Sequence, residues 1–177
     1  FAATGRPLKG TVIIVTGRNE YIEKYFETVR DLSRRGLGTL IFDLRGQGLS
    51  DRLIDDPAKG YVEDFDDYVD DLEELFVNIA LPDCRGPFFL LGHSAGALVA
   101  LLAAPAMVNR VRRLVMLAPL LGYPQLPVSM RGLRRTTGVL HALGLGRMYA
   151  SRVRDRRAVV PFAMNQLTTD HARYERN

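Results

Sequence analysis

Ser94 stands at the centre of Gly92-His93-Ser94-Ala95-Gly96, a G-x-S-x-G pentapeptide. The apolar run Phe88-Phe89-Leu90-Leu91 comes directly before it and has the length and character of a buried strand. The uncharged stretch Ala97 to Ala104 comes after it, reads as a helix and is expected to stop at Pro105. Strand, sharp turn and helix in that order are the context in which such a serine becomes a nucleophile. The turn lifts the hydroxyl out at the carboxyl end of the strand. The helix amino terminus behind it offers unpaired N–H groups and the positive end of a dipole. Those suit the oxyanion that develops in acyl transfer. Gly92 and Gly96 are expected because a side chain at either position would collide with the neighbouring helix or strand.

The elements that must position this turn are legible as alternating strands and helices. Thr11-Val12-Ile13-Ile14-Val15-Thr16 is a β-branched apolar run, the pattern of a central parallel strand. Ile22, Tyr25, Phe26, Val29 and Leu32 recur at helical spacing, and Gly36 ends that helix. Leu40-Ile41-Phe42 is the next strand. Val62, Phe65, Val69, Leu72, Phe76 and Ile79 predict a second amphipathic helix, with an opposite face rich in Asp and Glu. Those acids read as a solvated face, since a helix lacks the loop geometry that calcium needs. Leu114-Val115-Met116-Leu117 is a fourth strand.

This alternation predicts a doubly wound α/β fold with a mostly parallel sheet. Ligands in such sheets bind at the carboxyl ends of the strands. Three loops fall there: Gly17–Glu20, Asp43–Ser50 and Gly92–Gly96. Gly46-Gln47-Gly48 lacks the third glycine and the opening helix of a dinucleotide site. From Pro119 the character changes. Pro119, Pro124 and Pro127 break the rhythm, and residues 129–157 read as irregular helix rich in Arg and Gly. The expected organisation is therefore a core over residues 1–120 and a helical, Arg-rich cap over 121–177, inserted after the fourth strand.

The chain has 177 residues, enough for one good core. No run of about 18 apolar residues suggests a membrane-spanning helix. Cys84 is the single cysteine, so neither an internal disulfide nor a cysteine-based metal site is available. Charge is split: residues 1–106 carry 11 Lys+Arg against 17 Asp+Glu, and residues 107–177 carry 13 Arg against 3 acids. Such asymmetry points to two surfaces with different partners. Phe1 in place of Met predicts a piece of a longer protein.

Four segments carry a family resemblance: Thr16 to Tyr25, Asp43 to Ser50, Gly92 to Gly96, and Asn165 to Asp170. They resemble the α/β-hydrolase fold and, within it, the lysophospholipase and monoacylglycerol lipase branch of serine hydrolases. The first segment is most similar to the bacterial lysophospholipase form. The resemblance implies that Ser94 is the nucleophile. It implies an oxyanion hole made of the backbone N–H groups of Ala95 and Arg18. Position 16, Thr here, is His in many relatives. It also implies later strands bearing a triad Asp and His.

The three histidines fit that base poorly. His93 adjoins Ser94 and cannot turn round to its hydroxyl. His141 and His171 lie in the cap-like region, and Asp170 next to His171 cannot easily stand behind the imidazole. The catalytic Asp and His are therefore expected beyond Asn177.

The resemblance implies a serine hydrolase that cleaves carboxylic esters of lipid-like substrates, a lysophospholipid or a monoacylglycerol, through an acyl-enzyme. It needs no cofactor and no metal. A catalytically silent binding domain, or a thioesterase or peptidase on the same fold, stands as the alternative. The arginines Arg131, Arg134, Arg135, Arg147, Arg152, Arg154, Arg156 and Arg157 crowd a segment whose one acid is Asp155. They suit contact with an anionic membrane surface. No interleaved aromatics accompany them, so nucleic acid is not the expected partner. The expected location is cytoplasmic, peripheral to the inner membrane face.

Overall fold

The computed structural model describes residues 1–2, 8–56, 58–122, 129–147, 161–164 and 168–175. They fall into two compact units, Phe1–Leu133 and Arg134–Asn177.

The first unit is built on a four-stranded sheet in the order β2-β1-β3-β4. The strands are β1 (Gly10–Val15), β2 (Leu37–Phe42), β3 (Phe88–His93) and β4 (Val111–Leu117). Every neighbouring pair is parallel. β1 is buried along its whole length, as an apolar run covered on both faces must be. Its side chains alternate. Val12 and Ile14 face a small cluster around Val29 of helix α1 (Phe26–Arg34). Ile13 and Val15 face the larger one. There Leu72 of α2 (Asp66–Leu75) meets Val99, Ala100 and Ala103 of α4 (Ala95–Met107). α1 thus covers one face of the sheet, and α2 and α4 cover the other.

That split follows from right-handed crossovers. The chain leaves β1 in one direction to reach β2 and returns past it to β3 and β4. The direction reverses between β1 and β3. Their carboxyl ends therefore flank a topological switch point, where a parallel sheet opens a crevice.

Several boundaries differ from the sequence reading. β2 begins at Leu37 and β4 at Val111, because Arg112 and Arg113 are exposed and hide the strand's apolar signal. The first helix opens with a 3-10 turn, Ile22–Tyr25. The second starts only at Asp66, passes through a π turn (Phe76–Ala80) and ends in α3 (Leu81–Asp83). The π turn shifts the helical phase, so Phe76 and Ala80 are buried while Ile79 faces outward. α4 does not stop at Pro105 but runs on to Met107. Met107 is buried in the larger cluster, and that contact holds the last turn despite the missing N–H.

Beyond the sheet come α5 (Met130–Ala142), a 3-10 turn (Phe162–Met164) and α6 (His171–Glu175). Phe162 packs edge-on against His171 and Tyr174, with ring centroids 4.8 and 5.4 Å apart. Arg152, Arg154, Asp155, Arg156 and Arg157, and Asn165 to Leu167 of the fourth resembling segment, lie outside the described residues.

Candidate active site

Ser94 is placed where β3 ends and α4 begins, with φ 52° and ψ −117°. A residue with a Cβ adopts such a backbone only when its surroundings impose it. Three hydrogen bonds do so. The Ser94 N–H donates to the Leu117 carbonyl at 2.9 Å. The Ser94 carbonyl accepts from the N–H groups of Leu120 at 3.1 Å and Ala97 at 3.2 Å. The end of β4 therefore grips the serine from one side.

The two elbow glycines close the other side. A Cβ on Gly96 would fall 2.3 Å from the carbonyl oxygens of Val15 and Thr16. A Cβ on Gly92 would fall 2.5 Å from the Ala97 Cα. Both collisions are with backbone, so α4 can approach β1 and β3 this closely only over glycine.

The Ser94 side chain is half-buried and makes no hydrogen bond among the described residues. Neither the Ala95 N–H, at the first position of α4, nor the Arg18 N–H has an acceptor among them. Val15 of β1 is in register with Gly92 of β3, so the loops carrying Arg18 and Ala95 leave adjacent strands side by side. The structure thus brings Ser94, Ala95 and Arg18 to one switch point. The Arg18 side chain is exposed.

Glu20 organises the first of those loops, a role the sequence reading missed. Its carboxylate accepts the Gly17 N–H at 2.5 Å and the Tyr25 hydroxyl at 2.5 Å. It also pairs with Nδ1 of His93 at 3.0 Å. Burial pushes the Glu20 carboxyl up, but its bonds from His93, Tyr25 and Gly17 outweigh that and hold it below the ordinary value. The hydrogen bond to Glu20 raises the His93 imidazole, against the opposing effect of burial. Burial, then Glu20, raise the Tyr25 phenol. A signal was present: glutamate three residues after Gly17 has the spacing at which a side chain reaches back to a preceding N–H.

The loop has two further anchors. Asn19, at φ 60°, donates its N–H to Oε1 of buried Gln47. Asp43 accepts the N–H groups of Ile22 and Leu49, each at 2.9 Å. A cavity of about 160 Å³ lies here, lined by Asn19, Glu20, Tyr21, Gln47 and Arg52 among others. The Thr16 hydroxyl is fully buried without a partner in the described structure.

Of the remaining histidines, His141 is exposed on α5. His171 pairs with Glu175, not Asp170, with Nδ1 3.3 Å from the carboxylate. Asp170 instead caps α6 by accepting the Arg173 N–H at 3.2 Å. The acidic face of α2 is joined to the Asp43–Ser50 loop by Arg45. Its guanidinium binds Asp71 through two nitrogens, at 2.5 and 2.6 Å, and reaches Asp67 at 3.4 Å.

A parallel sheet in this order, with a strained serine between strand and helix at its switch point, defines the α/β-hydrolase class. Within that class the chain belongs to the family described as "Serine aminopeptidase, S33", which matches residues 6–175. It is similar to lysophospholipase L2 of Escherichia coli (strain K12), 34% identical over 174 residues. That match covers 94% of this chain and 48% of the relative. It is also similar to the monoglyceride lipase of Homo sapiens, 31% identical over 121 residues, covering 66% of this chain and 37% of that one. Among solved structures, the monoacylglycerol lipase of Paleococcus ferrophilus shares the fold, with a TM-score of 0.60 and 24% identity. That likeness covers 78% of this chain and 49% of the other. The chain spans about half the length of the curated relatives it matches.

Proposed function

We propose that this chain supplies the nucleophile and the oxyanion donors of a hydrolase acting on lipid-like carboxylic esters. The supporting observation is the Ser94 elbow: strained, gripped by β4, and with its hydroxyl and the Ala95 and Arg18 N–H groups unengaged by the described residues. In this reading Ser94 Oγ attacks the acyl carbon while a histidine base takes its proton. The Arg18 and Ala95 N–H groups receive the negative charge on the former carbonyl oxygen. The alcohol leaves with the proton, and water then hydrolyses the acyl-enzyme. The relatives named for lysophospholipids and monoglycerides support a monoester with one acyl chain as substrate.

The test is active-site labelling of the complete protein with a fluorophosphonate, followed by turnover of lysophosphatidylcholine, a monoacylglycerol, an acyl thioester and an aminoacyl anilide. Labelling lost in Ser94→Ala, with turnover of the lipid esters, is the expected result. Labelling with turnover of only the thioester or anilide would move the substrate class. No labelling and no turnover would leave a binding domain.

A second observation concerns α5. Arg131, Arg134 and Arg135 are exposed on it, and no acid lies between residues 129 and 147. We infer that this helix contacts anionic lipid surfaces, which attract basic side chains over about a Debye length. Peripheral attachment at a membrane face is the location this reading supports.

A further inference from the structure

The two oxyanion donors of this reading come from different strands, so something must fix their separation. The Ala95 N–H is rigid, because α4 and the glycine contacts hold it. The Arg18 N–H lies on a loop whose anchors at Gln47 and Asp43 tie it to the segment after β2 and not to β3. Glu20 and His93 bridge the two. Glu20 belongs to the Arg18 loop and fastens it internally through the Gly17 N–H and the Tyr25 hydroxyl. His93 is the last residue of β3 and the immediate neighbour of Ser94. The contact between them spans 73 positions of sequence.

We propose that Glu20 and His93 form a positioning strut that sets the Arg18 N–H at its working distance from the Ala95 N–H. This rests on the hydrolase reading above for its effect on catalysis, but its effect on the loop does not. The contact favours the charged form of each partner, since the carboxyl is held low and the imidazole high. Neither side chain touches substrate in this scheme. Both act through a backbone N–H, so their loss should affect the transition state far more than substrate binding.

The experiment uses the complete protein with Glu20→Gln, His93→Leu and His93→Asn. The asparagine amide can offer an N–H close to where Nδ1 stands; leucine cannot. Two readouts are taken. The first is kcat and KM for a monoacyl ester. Glu20→Gln and His93→Leu are expected to lower kcat by about ten- to a hundredfold, part of the loss seen when an oxyanion donor is removed outright, with KM within about threefold. His93→Asn should recover most of it. The second needs no activity: amide hydrogen exchange at Asn19, whose N–H is bonded to Gln47 and not to the mutated groups. It should quicken at least about tenfold in Glu20→Gln and His93→Leu as the loop opens. Exchange at Asn19 unchanged in both variants would overturn the strut, whether or not the protein turns over ester. Equal losses in His93→Leu and His93→Asn would also overturn it. Inactive wild-type protein with quickened exchange would instead sink the hydrolase reading and leave the strut standing.

Discussion

Ser94 pays for its position with a backbone of φ 52° and ψ −117°, a region that costs about 1–3 kcal/mol for a residue with a Cβ. The strain is useful only if the hydroxyl is. Ser94→Ala keeps the strain and removes the nucleophile; Ser94→Gly removes both. Both are expected to lower ester hydrolysis by roughly 10⁶-fold in the complete enzyme. Ser94→Gly should melt above Ser94→Ala, because glycine adopts the elbow without penalty. Equal melting temperatures would mean that the elbow stores no strain. Arg18 should differ in kind from Ser94. Its side chain is exposed and its assigned role is a backbone N–H, so Arg18→Ala should leave kcat within about tenfold. A large rise in KM confined to phosphorylated esters would give the guanidinium a headgroup role instead.

The Glu20–His93 contact also predicts a pH window. The His93 imidazole is raised in the folded protein. Its contribution to stability is therefore full below the ordinary imidazole value of about 6.5 and is lost as pH rises through the raised one. Glu20 is lowered, so its contribution is full above about 4.3 and is lost as pH falls through the lowered value. The melting difference between wild type and His93→Leu should be greatest between those limits and shrink at alkaline pH. A difference that is flat from about pH 5 to pH 9 would show that the pair is not charged in the folded protein.

At the scale of elements, the elbow was legible because its signals are local. Apolar runs mark β1, buried on both faces, and the start of β3, buried on one face and partly buried on the other, and two glycines bracket the serine at fixed spacing. What escaped is what depends on distant partners. His93 finds Glu20 across the switch point, and neither residue shows an unusual neighbour in sequence. Val111-Arg112-Arg113-Leu114 hides the start of β4, because an exposed strand tolerates charge. The π turn after Leu75 breaks a period that Val62 to Ile79 otherwise keep. Asp43 shows the same limit. It reads as the first residue of a site loop, yet its carboxylate fastens two elements by accepting the N–H groups of Ile22 and Leu49. Asp43→Ala would leave both donors without their partner. It should destabilise the complete protein by about 1–3 kcal/mol, read as a lower denaturant midpoint with unchanged slope. A shift under about 0.5 kcal/mol would show that water replaces the carboxylate at no cost.

Across the whole molecule, charge is the widest asymmetry. The acidic half is partly neutralised from within, since Arg45 binds Asp67 and Asp71 of α2. The basic half offers α5, where Arg131, Arg134 and Arg135 stand beside exposed Val139 and Leu140. Basic residues with apolar neighbours are what a helix lying on an anionic bilayer needs: charge brings it to the surface and apolar side chains enter the acyl boundary. Each arginine near such a surface contributes about 1 kcal/mol at low salt. Changing the three to glutamine should therefore weaken binding to phosphatidylserine-containing vesicles by about two powers of ten. Co-sedimentation of the complete protein with vesicles across a salt series measures this. Wild-type binding should fall steeply as the Debye length shrinks from about 30 Å at 0.01 M salt to about 8 Å at 0.15 M. Equal binding to neutral and anionic vesicles, or an unchanged affinity in the glutamine variant, would assign the arginines to partners within the protein.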